Sequence, residues 1–173
     1  MLSDLFVNIG RGVANLMPAA TVRYNAEDMP KPKRTVRGVE LSDEDVAELR
    51  KIVYSEVSNR PKDKKDLEAR ILFNTALNRI AENRKKGKEL TLAEVLKQPN
   101  QYQGYNTPLY QEYNRPKDFL SKTRQQQVDE VVNGMLADVD AGKFEDNTNG
   151  AFYYQHKGDK IYYDDEKPLF VNR

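Results

Sequence analysis

A glutamate on the apolar side of a predicted helix is the residue of this chain best suited to chemistry. Apolar residues recur there at three- and four-residue steps, which predicts an amphipathic helix. They are Val46, Leu49, Ile52, Val53 and Val57. At about 100° per residue, Glu56 falls between Ile52 and Leu49 on the helical wheel, inside the apolar stripe. Burial and the helix C-terminus both disfavour a charged carboxylate, so we expect a raised pKa, as a general acid requires.

A structural role for Glu56 is the alternative. A glutamate at the edge of an apolar stripe can pair with an arginine or lysine, or bend toward solvent. Arg79 is a candidate partner, and such a pair would lower the pKa of Glu56 and work against an acid role. The neighbouring Asn78 is expected to hold a loop, because an amide that faces a core must be hydrogen-bonded.

The elements that must position Glu56 are mostly predicted helices. Ser42 and Asp45 form a capping-box pair, which begins the Glu56 helix. Further helices are predicted over residues 66–84, 91–97 and 123–141. The last part of the chain changes to a period of two, which predicts a β-hairpin over 151–156 and 160–163, and 169–171 could form one more strand.

Two segments rich in amides and tyrosines are candidates for binding carbohydrate. Tyrosine rings stack on sugar rings, and asparagine and glutamine side chains bond hydroxyl groups. In the loop at residues 98–106 the candidates are Gln101, Tyr102, Tyr105 and Asn106. In the predicted hairpin they are Tyr153, Tyr154 and His156. Packing within the hairpin is the alternative role for the tyrosines, and simple surface exposure is the alternative for the histidine.

Composition argues against several classes of function. The chain has 173 residues, no cysteine, one histidine and a net charge of +1. A near-neutral chain is a poor ligand for nucleic acid, and a zinc site of the usual nitrogen and sulfur ligands lacks its residues. We therefore expect no metal and no cofactor. No apolar run approaches the roughly 20 residues of a transmembrane helix, and the N-terminus lacks the pattern of a signal peptide.

The chain divides into a predicted arm with its linker, residues 1–38, and a domain, residues 39–173. Residues 1–17 carry apolar side chains at helical spacing, whereas residues 18–38 contain Pro30, Pro32 and a basic run. An amphipathic arm of this length must cover its apolar stripe with another surface. Its own domain, a membrane and a protein partner are the alternatives, and we expect a protein partner.

Four segments, in order between residues 46 and 157, resemble the catalytic domain of the SleB-like spore-cortex-lytic and cell-wall hydrolase family. Residues 52–56 resemble its hydrophobic-Tyr-x-Glu stretch, and residues 76–80 its helix ending in Asn-Arg. Residues 95–106 resemble its Val-x-x-Gln-Pro-x-Gln-aromatic loop, and residues 150–156 its Gly-Ala-x-Tyr-Tyr-x-His element. The chain departs from the family at residues 57–60, where Ala-Arg-Gly-Glu is usual, and at Tyr102, where phenylalanine is usual.

The resemblance implies an α+β fold, with a small lysozyme-like or transglycosylase-like helical core, a C-terminal β-hairpin and the extended N-terminal arm. It also implies cleavage of peptidoglycan glycan strands between N-acetylmuramic acid and N-acetylglucosamine, with Glu56 as general acid and base. A lytic transglycosylase needs no second carboxylate, because the 6-hydroxyl of the substrate attacks and yields a 1,6-anhydro product.

A muramidase would need a second carboxylate roughly 5–10 Å from Glu56. The hairpin offers three candidates, which are Asp159, Asp164 and Asp165. Three other acids resemble ordinary turn and helix-start charges, namely Asp63, Asp66 and Glu68.

A wall-cutting domain with an arm and no signal peptide suggests a bacteriophage virion component that acts on the host cell wall during infection. Two alternatives involve no catalysis. The first is an inactive structural or assembly protein of such a virion, and the second is a peptidoglycan-binding module.

Overall fold

The computed structural model describes residues 33–99, 101–157 and 160–164, and from residue 155 onward it describes the backbone alone. Most of the predicted arm and the predicted strand at 169–171 lie outside the described residues. The compact unit begins at Lys33, earlier than the boundary expected between residues 38 and 39. The residues assigned to the end of the linker therefore belong to the domain.

The described residues form five helices and two short β-hairpins. In chain order these elements are β1 (Arg34–Val36), β2 (Val39–Leu41), α1 (Asp43–Val57), α2 (Lys62–Lys85), α3 (Leu92–Leu96), α4 (Pro108–Glu112), α5 (Phe119–Asp140), β3 (Tyr153–Lys157) and β4 (Lys160–Asp164). Each sheet is a two-stranded antiparallel pair. The fold is thus α+β and mostly helical. None of these helices has the length and apolar character needed to cross a membrane.

Helices α1 and α2 form the centre of the domain. Helix α1 packs against all four other helices, and α2 packs against α1, α3, α5 and strand β3. Their buried side chains meet those of α5 in one core, which includes Ile52, Leu72, Phe73, Val132 and Met135. Helix α2 buries an unbroken run of residues from Ile71 to Ile80.

The predicted starts of α1 and α3 are confirmed by their caps, whereas α2 begins before the predicted residue 66. Ser42 and Asp45 form the capping box of α1, and Thr91 with Glu94 forms that of α3. Gly87 and Gly142 follow α2 and α5 with φ angles of +72° and +67°, a conformation that glycine adopts at low cost. Helix α5 begins earlier than predicted, because Asp118 and Ser121 form a further capping box.

The C-terminal hairpin is confirmed, whereas two elements were not predicted. Tyr153 pairs with Asp164 and Lys157 with Lys160. Strand β1 lies where a linker was expected, and β2 lies at the predicted start of the domain. Arg37 and Gly38 join them with φ angles of +51° and +74°, as in a type I′ turn. Helix α4 is the other addition, and it is one short turn that begins with a proline.

Asp45 joins the beginnings of two helices. One carboxylate oxygen accepts the backbone N–H and the hydroxyl of Ser42, both at 2.8 Å. The other accepts the backbone N–H of Ala93 at 2.7 Å, near the start of α3. The side chain is only 2% exposed. A single carboxylate thus caps α1 and fixes α3 against it.

We expect Asp45→Ala to destabilise the protein by about 2 kcal/mol, because two helix starts lose a cap that is typically worth about 1 kcal/mol each. Thr91→Ala is the matched control, since Thr91 caps only α3 and is exposed. Urea unfolding followed by circular dichroism measures both variants. A cost of Asp45→Ala no larger than that of Thr91→Ala would contradict the shared cap.

Candidate functional site

Glu56 lies in the last turn of α1, at the border of the buried face. Ile52, Val53 and Val57 are fully buried, but Glu56 is only partly buried. The backbone N–H of Gly104, in the loop between α3 and α4, donates a hydrogen bond to Oε1 of Glu56. A loop residue distant in the sequence therefore holds the carboxyl group at the end of the helix.

Gly104 makes this contact because it has no side chain. A Cβ atom at this position would lie 2.1 Å from Oγ of Ser55 and 2.7 Å from its Cβ. It would also lie 3.0 Å from Oε1 of Glu56. Ser55 is held in turn, since its hydroxyl donates to the carbonyl of Ile52 at 2.9 Å. The backbone of the loop thus lies directly against the last turn of α1.

Thr107 fixes the other side of this loop. Its hydroxyl donates to the carbonyl oxygen of Gly104 at 2.7 Å, and its backbone N–H bonds the same oxygen at 3.3 Å. The same hydroxyl accepts the backbone N–H of Tyr110 and so caps α4. The residue that presents its N–H to Glu56 is therefore tied directly to the start of the next helix.

The environment of Glu56 raises its pKa. Burial is the largest effect, and it disfavours the ionised form. The hydrogen bond from Gly104 and the positive charge of Arg60 act in the opposite direction without cancelling it. The carboxyl group thus combines a raised pKa with partial access to solvent, as a proton donor to a bound molecule requires.

Tyr102 lies beside Glu56, but it does not present a surface for stacking. Its side chain is 6% exposed and belongs to the hydrophobic core. Burial raises the pKa of Tyr102, while the positive charge of Arg79 acts against this, and Glu56 contributes to the raised value. The expectation that Tyr102 stacks on a sugar ring conflicts with this burial. The loop folds back over the helices, and the ring fills the space behind the carboxyl group.

Arg79 is directed toward the hairpin and two tyrosine rings. Its Nε donates to the carbonyl of Phe152 at 2.8 Å. The guanidinium carbon lies 4.4 Å from the ring centroid of Tyr153 and 5.3 Å from that of Tyr102. These are distances at which a cation is attracted by an aromatic face. The alternative that Arg79 pairs with Glu56 does not hold here. Arg79 bonds the hairpin instead, and Arg60 is the arginine whose charge acts on Glu56.

Tyr154 lies on strand β3 near the carboxyl group, and Tyr153 points to the other face of the strand. Burial raises the pKa of Tyr154 well above its usual value, and the charge of Glu56 adds to this. Tyr154 also packs against the hydrophobic core. The backbone of His156 pairs with Ile161. The side chain of His156 lies outside the described residues, so its expected role stays a prediction.

Asn78 holds the loop that leads into β3. Its Nδ2 donates to Oγ1 of Thr148 at 3.0 Å and to the carbonyl of Ala151 at 2.8 Å. One turn earlier, Asn74 donates to the carbonyl of Glu145 at 3.0 Å. Helix α2 therefore fastens the segment before the hairpin through side-chain amides. This is the kind of contact expected for Asn78, and it places Tyr154 over the end of α1.

The other predicted sugar-binding residues are distributed around the loop. Tyr105 packs edge-on against Tyr110, with ring centroids 5.4 Å apart. Asn106 is exposed, with a φ angle of +60°, and it accepts a hydrogen bond from Gln111 at 3.1 Å. The side-chain oxygen of Gln101 is buried and has no hydrogen-bond partner among the described residues.

Two charged residues near the site were not identified as functional. The carboxylate of Glu68 is 6% exposed and lies 3.1 Å from Nε of Arg60. Tyr154 senses the charges of both residues as well as that of Glu56. Glu68 resembled a helix-start charge because the helix was expected to begin at residue 66, whereas it begins at Lys62. Glu68 therefore lies inside the helix, one turn before the buried Leu72, and the two residues share a face.

The remaining candidates for a second carboxylate stay predictions or lie elsewhere. Asp159 and Asp165 are outside the described residues, and Asp164 is described only by its backbone. Asp63 and Asp66 are exposed at the start of α2. In the part of the chain that the structure describes, acidic and histidine side chains form no cluster of three that could hold a metal ion.

Comparisons with known proteins found no match, whether made against protein-family models, curated proteins or solved structures.

The contact at Gly104 predicts that Gly104→Ala destabilises the protein by about 1–3 kcal/mol, since the added methyl group overpacks the end of α1. Gly134→Ala is the matched control. Gly134 is exposed within α5, and an added Cβ meets no atom within 4 Å. We expect that variant to be about 0.5–1 kcal/mol more stable than the parent, because alanine favours the helix. Equal effects in thermal or urea unfolding would contradict the close approach.

The raised pKa of Glu56 predicts a pH-dependent effect of Glu56→Gln on stability. A raised pKa means that folding favours the protonated form, so this contribution is complete below the unfolded value of 4.5 and is lost as the pH rises through the folded value. We expect the variant to gain stability relative to the parent as the pH increases from 4 to 7. A constant difference in urea unfolding across this range would show that the pKa of Glu56 is not raised.

Proposed function

We propose that this protein cleaves peptidoglycan glycan strands between N-acetylmuramic acid and N-acetylglucosamine, with Glu56 as the general acid and base. The observation that carries the proposal is the partly buried Glu56 carboxyl, which has a raised pKa and is held by the N–H of Gly104. Such a group stays protonated to a higher pH than an ordinary glutamate, and it can donate its proton to the oxygen of a glycosidic bond.

The proposed reaction consists of two proton transfers at the same carboxyl group. Glu56 protonates the bridging oxygen as the bond breaks and positive charge develops on the sugar ring. The resulting carboxylate then accepts a proton from the attacking hydroxyl group. In a lytic transglycosylase that hydroxyl belongs to the same sugar, and the product is a 1,6-anhydro ring. In a muramidase it belongs to water, and the product is a reducing end.

The surroundings of Glu56 favour a role for the loop and the hairpin in binding the glycan strand. The loop at residues 101–107 and strand β3 both come close to the carboxyl group, since the Gly104 N–H bonds it and its charge contributes to the raised pKa of Tyr154. Tyr102 supports this arrangement from the core, so we assign it a structural part. The other predicted residues remain proposed sugar-binding residues, namely Gln101, Tyr105, Asn106, Tyr153, Tyr154 and His156. The lysozyme-like or transglycosylase-like character of the helical core belongs to the same proposal.

The biological setting is a further part of the proposal. A wall-cutting domain preceded by an amphipathic arm suits a bacteriophage virion component that opens the host cell wall during infection. In this setting residues 1–38 would attach the domain to a virion protein, and the peptidoglycan of the host would be the substrate.

We expect the full chain to release soluble fragments from purified peptidoglycan, and Glu56→Gln to lower the rate by at least about a hundredfold, as loss of a general acid does. Glu130→Gln is the matched control, because Glu130 is exposed on α5. Mass spectrometry of the fragments identifies the reaction. Anhydro ends indicate a transglycosylase and reducing ends a muramidase.

Three results would contradict the proposal in different ways. Intact glycan strands that nevertheless sediment with the protein would indicate a peptidoglycan-binding module. Intact strands without binding would favour an inactive virion structural protein. If Glu56→Gln cleaves as fast as the parent, another residue supplies the acid.

A further inference from the structure

We propose that Glu68 is a positioning residue, which holds the guanidinium group of Arg60 one helical turn beyond Glu56 and keeps it from pairing with that carboxyl group. The inference rests on the proposed function for its meaning in the reaction. The arrangement itself can be measured in the absence of any substrate. Neither Glu68 nor Arg60 was a candidate from the sequence.

The backbone of Arg60 is fixed from two sides. Its N–H donates to the carbonyl of Val57 at 2.9 Å, which continues the turn after α1. Its own carbonyl accepts a hydrogen bond from Nζ of Lys65 at 2.7 Å. Lys65 is buried and also donates to Oε1 of Gln127 on α5 at 3.0 Å. The Cα of Arg60 thus has a set position one turn after Glu56.

The side chain of Arg60 is held by Glu68. Nε of Arg60 lies 3.1 Å from Oε2 of Glu68. The Glu68 side chain is 6% exposed, whereas that of Arg60 is 41% exposed. A buried carboxylate depends strongly on a cationic partner, because an unpaired buried charge is costly. A half-exposed arginine, by contrast, has space to turn. Glu68 therefore determines where Arg60 points.

The charged and titratable groups around Glu56 come from four parts of the fold. Arg60 follows α1, Glu68 lies on α2, Tyr102 on the loop and Tyr154 on β3. Arg79, also on α2, acts on Tyr102. Tyr154 senses Glu56, Glu68 and Arg60 together, which places the two carboxyl groups and the cation in one neighbourhood.

This arrangement balances two requirements of an acid catalyst. The charge of Arg60 lowers the pKa of Glu56, although burial dominates. If Arg60 turned to form a direct ion pair with Glu56, the carboxyl group would be ionised at neutral pH and would have no proton to donate. Its pairing with Glu68 leaves Arg60 close enough to limit the pKa of Glu56, but not close enough to neutralise the acid.

Carbon-detected NMR titration of the Glu56 carboxyl group in the full chain tests the proposal directly. We expect Glu68→Gln to lower the pKa of Glu56, because Arg60 is released toward it. Arg60→Gln should raise that pKa, and Arg60→Lys, which keeps the charge, should restore most of it. Asp66→Asn is the matched control on the same helix. Asp66 pairs with Arg70 at 2.8 Å, and its loss should leave the titration unchanged.

The combined variant distinguishes positioning from a direct effect of charge. If Glu68 acts through Arg60, Glu68→Gln should shift the titration of Glu56 less in the Arg60→Gln background than in the parent. An equal shift in both backgrounds would overturn the proposal, as would an unchanged titration in Arg60→Gln. If Glu68→Gln fails to fold, Glu68→Asp keeps the charge but withdraws it from Arg60, and it should still lower the pKa of Glu56; an unchanged titration in that variant would overturn the proposal.

Cleavage assays add a readout that separates the two proposals. The alkaline limb of the pH–rate profile should move to lower pH in Glu68→Gln, and each pH unit of movement lowers the rate on that side about tenfold. The ratio of anhydro to reducing ends should not change. A loss of reducing ends alone would overturn the inference, because it would make Glu68 the base that activates water. If the parent cleaves nothing, the proposed function fails, and the NMR titration still decides the positioning.

Discussion

The approach of the Gly104 backbone to the last turn of α1 is the contact on which the candidate site depends. It brings a backbone N–H to the carboxyl of Glu56, and this hydrogen bond lowers the pKa of the carboxyl group against the larger raising effect of burial. The contact requires a chain without a Cβ atom at this position. A larger residue at position 104 would hold the loop away from the carboxyl group of Glu56. The chemistry of Glu56 is thus set by a close packing contact as much as by its own helix.

The loop that carries Gly104 is held at both ends by hydrogen bonds to carboxylates. At its start, Asp45 on α1 accepts the N–H of Ala93 and fixes α3. At its end, three tyrosine hydroxyls donate to carboxylates around α4. These pairs are Tyr110 with Glu48, Tyr54 with Glu112, and Tyr113 with Asp129. The first two join α4 to α1, and the third joins its end to α5. A loop suspended between two anchored helices can hold one N–H in place, as a pre-organised site requires.

The sequence predicted local features well and distant contacts poorly. The capping box of α1, the position of α3 and the C-terminal hairpin follow from short-range patterns, and the structure confirms them. The β1–β2 hairpin escaped prediction because its strands have three residues each and owe their stability to packing against the helices. Gly104 was missed as a contact because 48 residues separate it from Glu56. Tyr102 looked like a surface aromatic, since composition cannot tell which side of a loop faces the core.

Helix α2 carries a row of buried polar residues that bind neighbouring segments of the domain. Lys65, Glu68, Thr75 and Arg79 lie on one side of the helix at steps of three, seven and four residues, and all four are buried. Apolar residues would pack there at lower cost, because each buried polar group must find a partner. The partners of Lys65, Glu68 and Arg79 belong to the connection after α1, to α5 and to the segment before β3, whereas Thr75 donates to the carbonyl of Leu72 within α2. Helix α2 therefore uses specific bonds where a purely apolar core would leave the surrounding segments free to slide, and the connection after α1 carries Arg60, whose charge acts on Glu56. A domain that needed only stability would gain little from this polar stripe, whereas one that must hold a single acid in a defined environment gains the fixed geometry that such bonds provide.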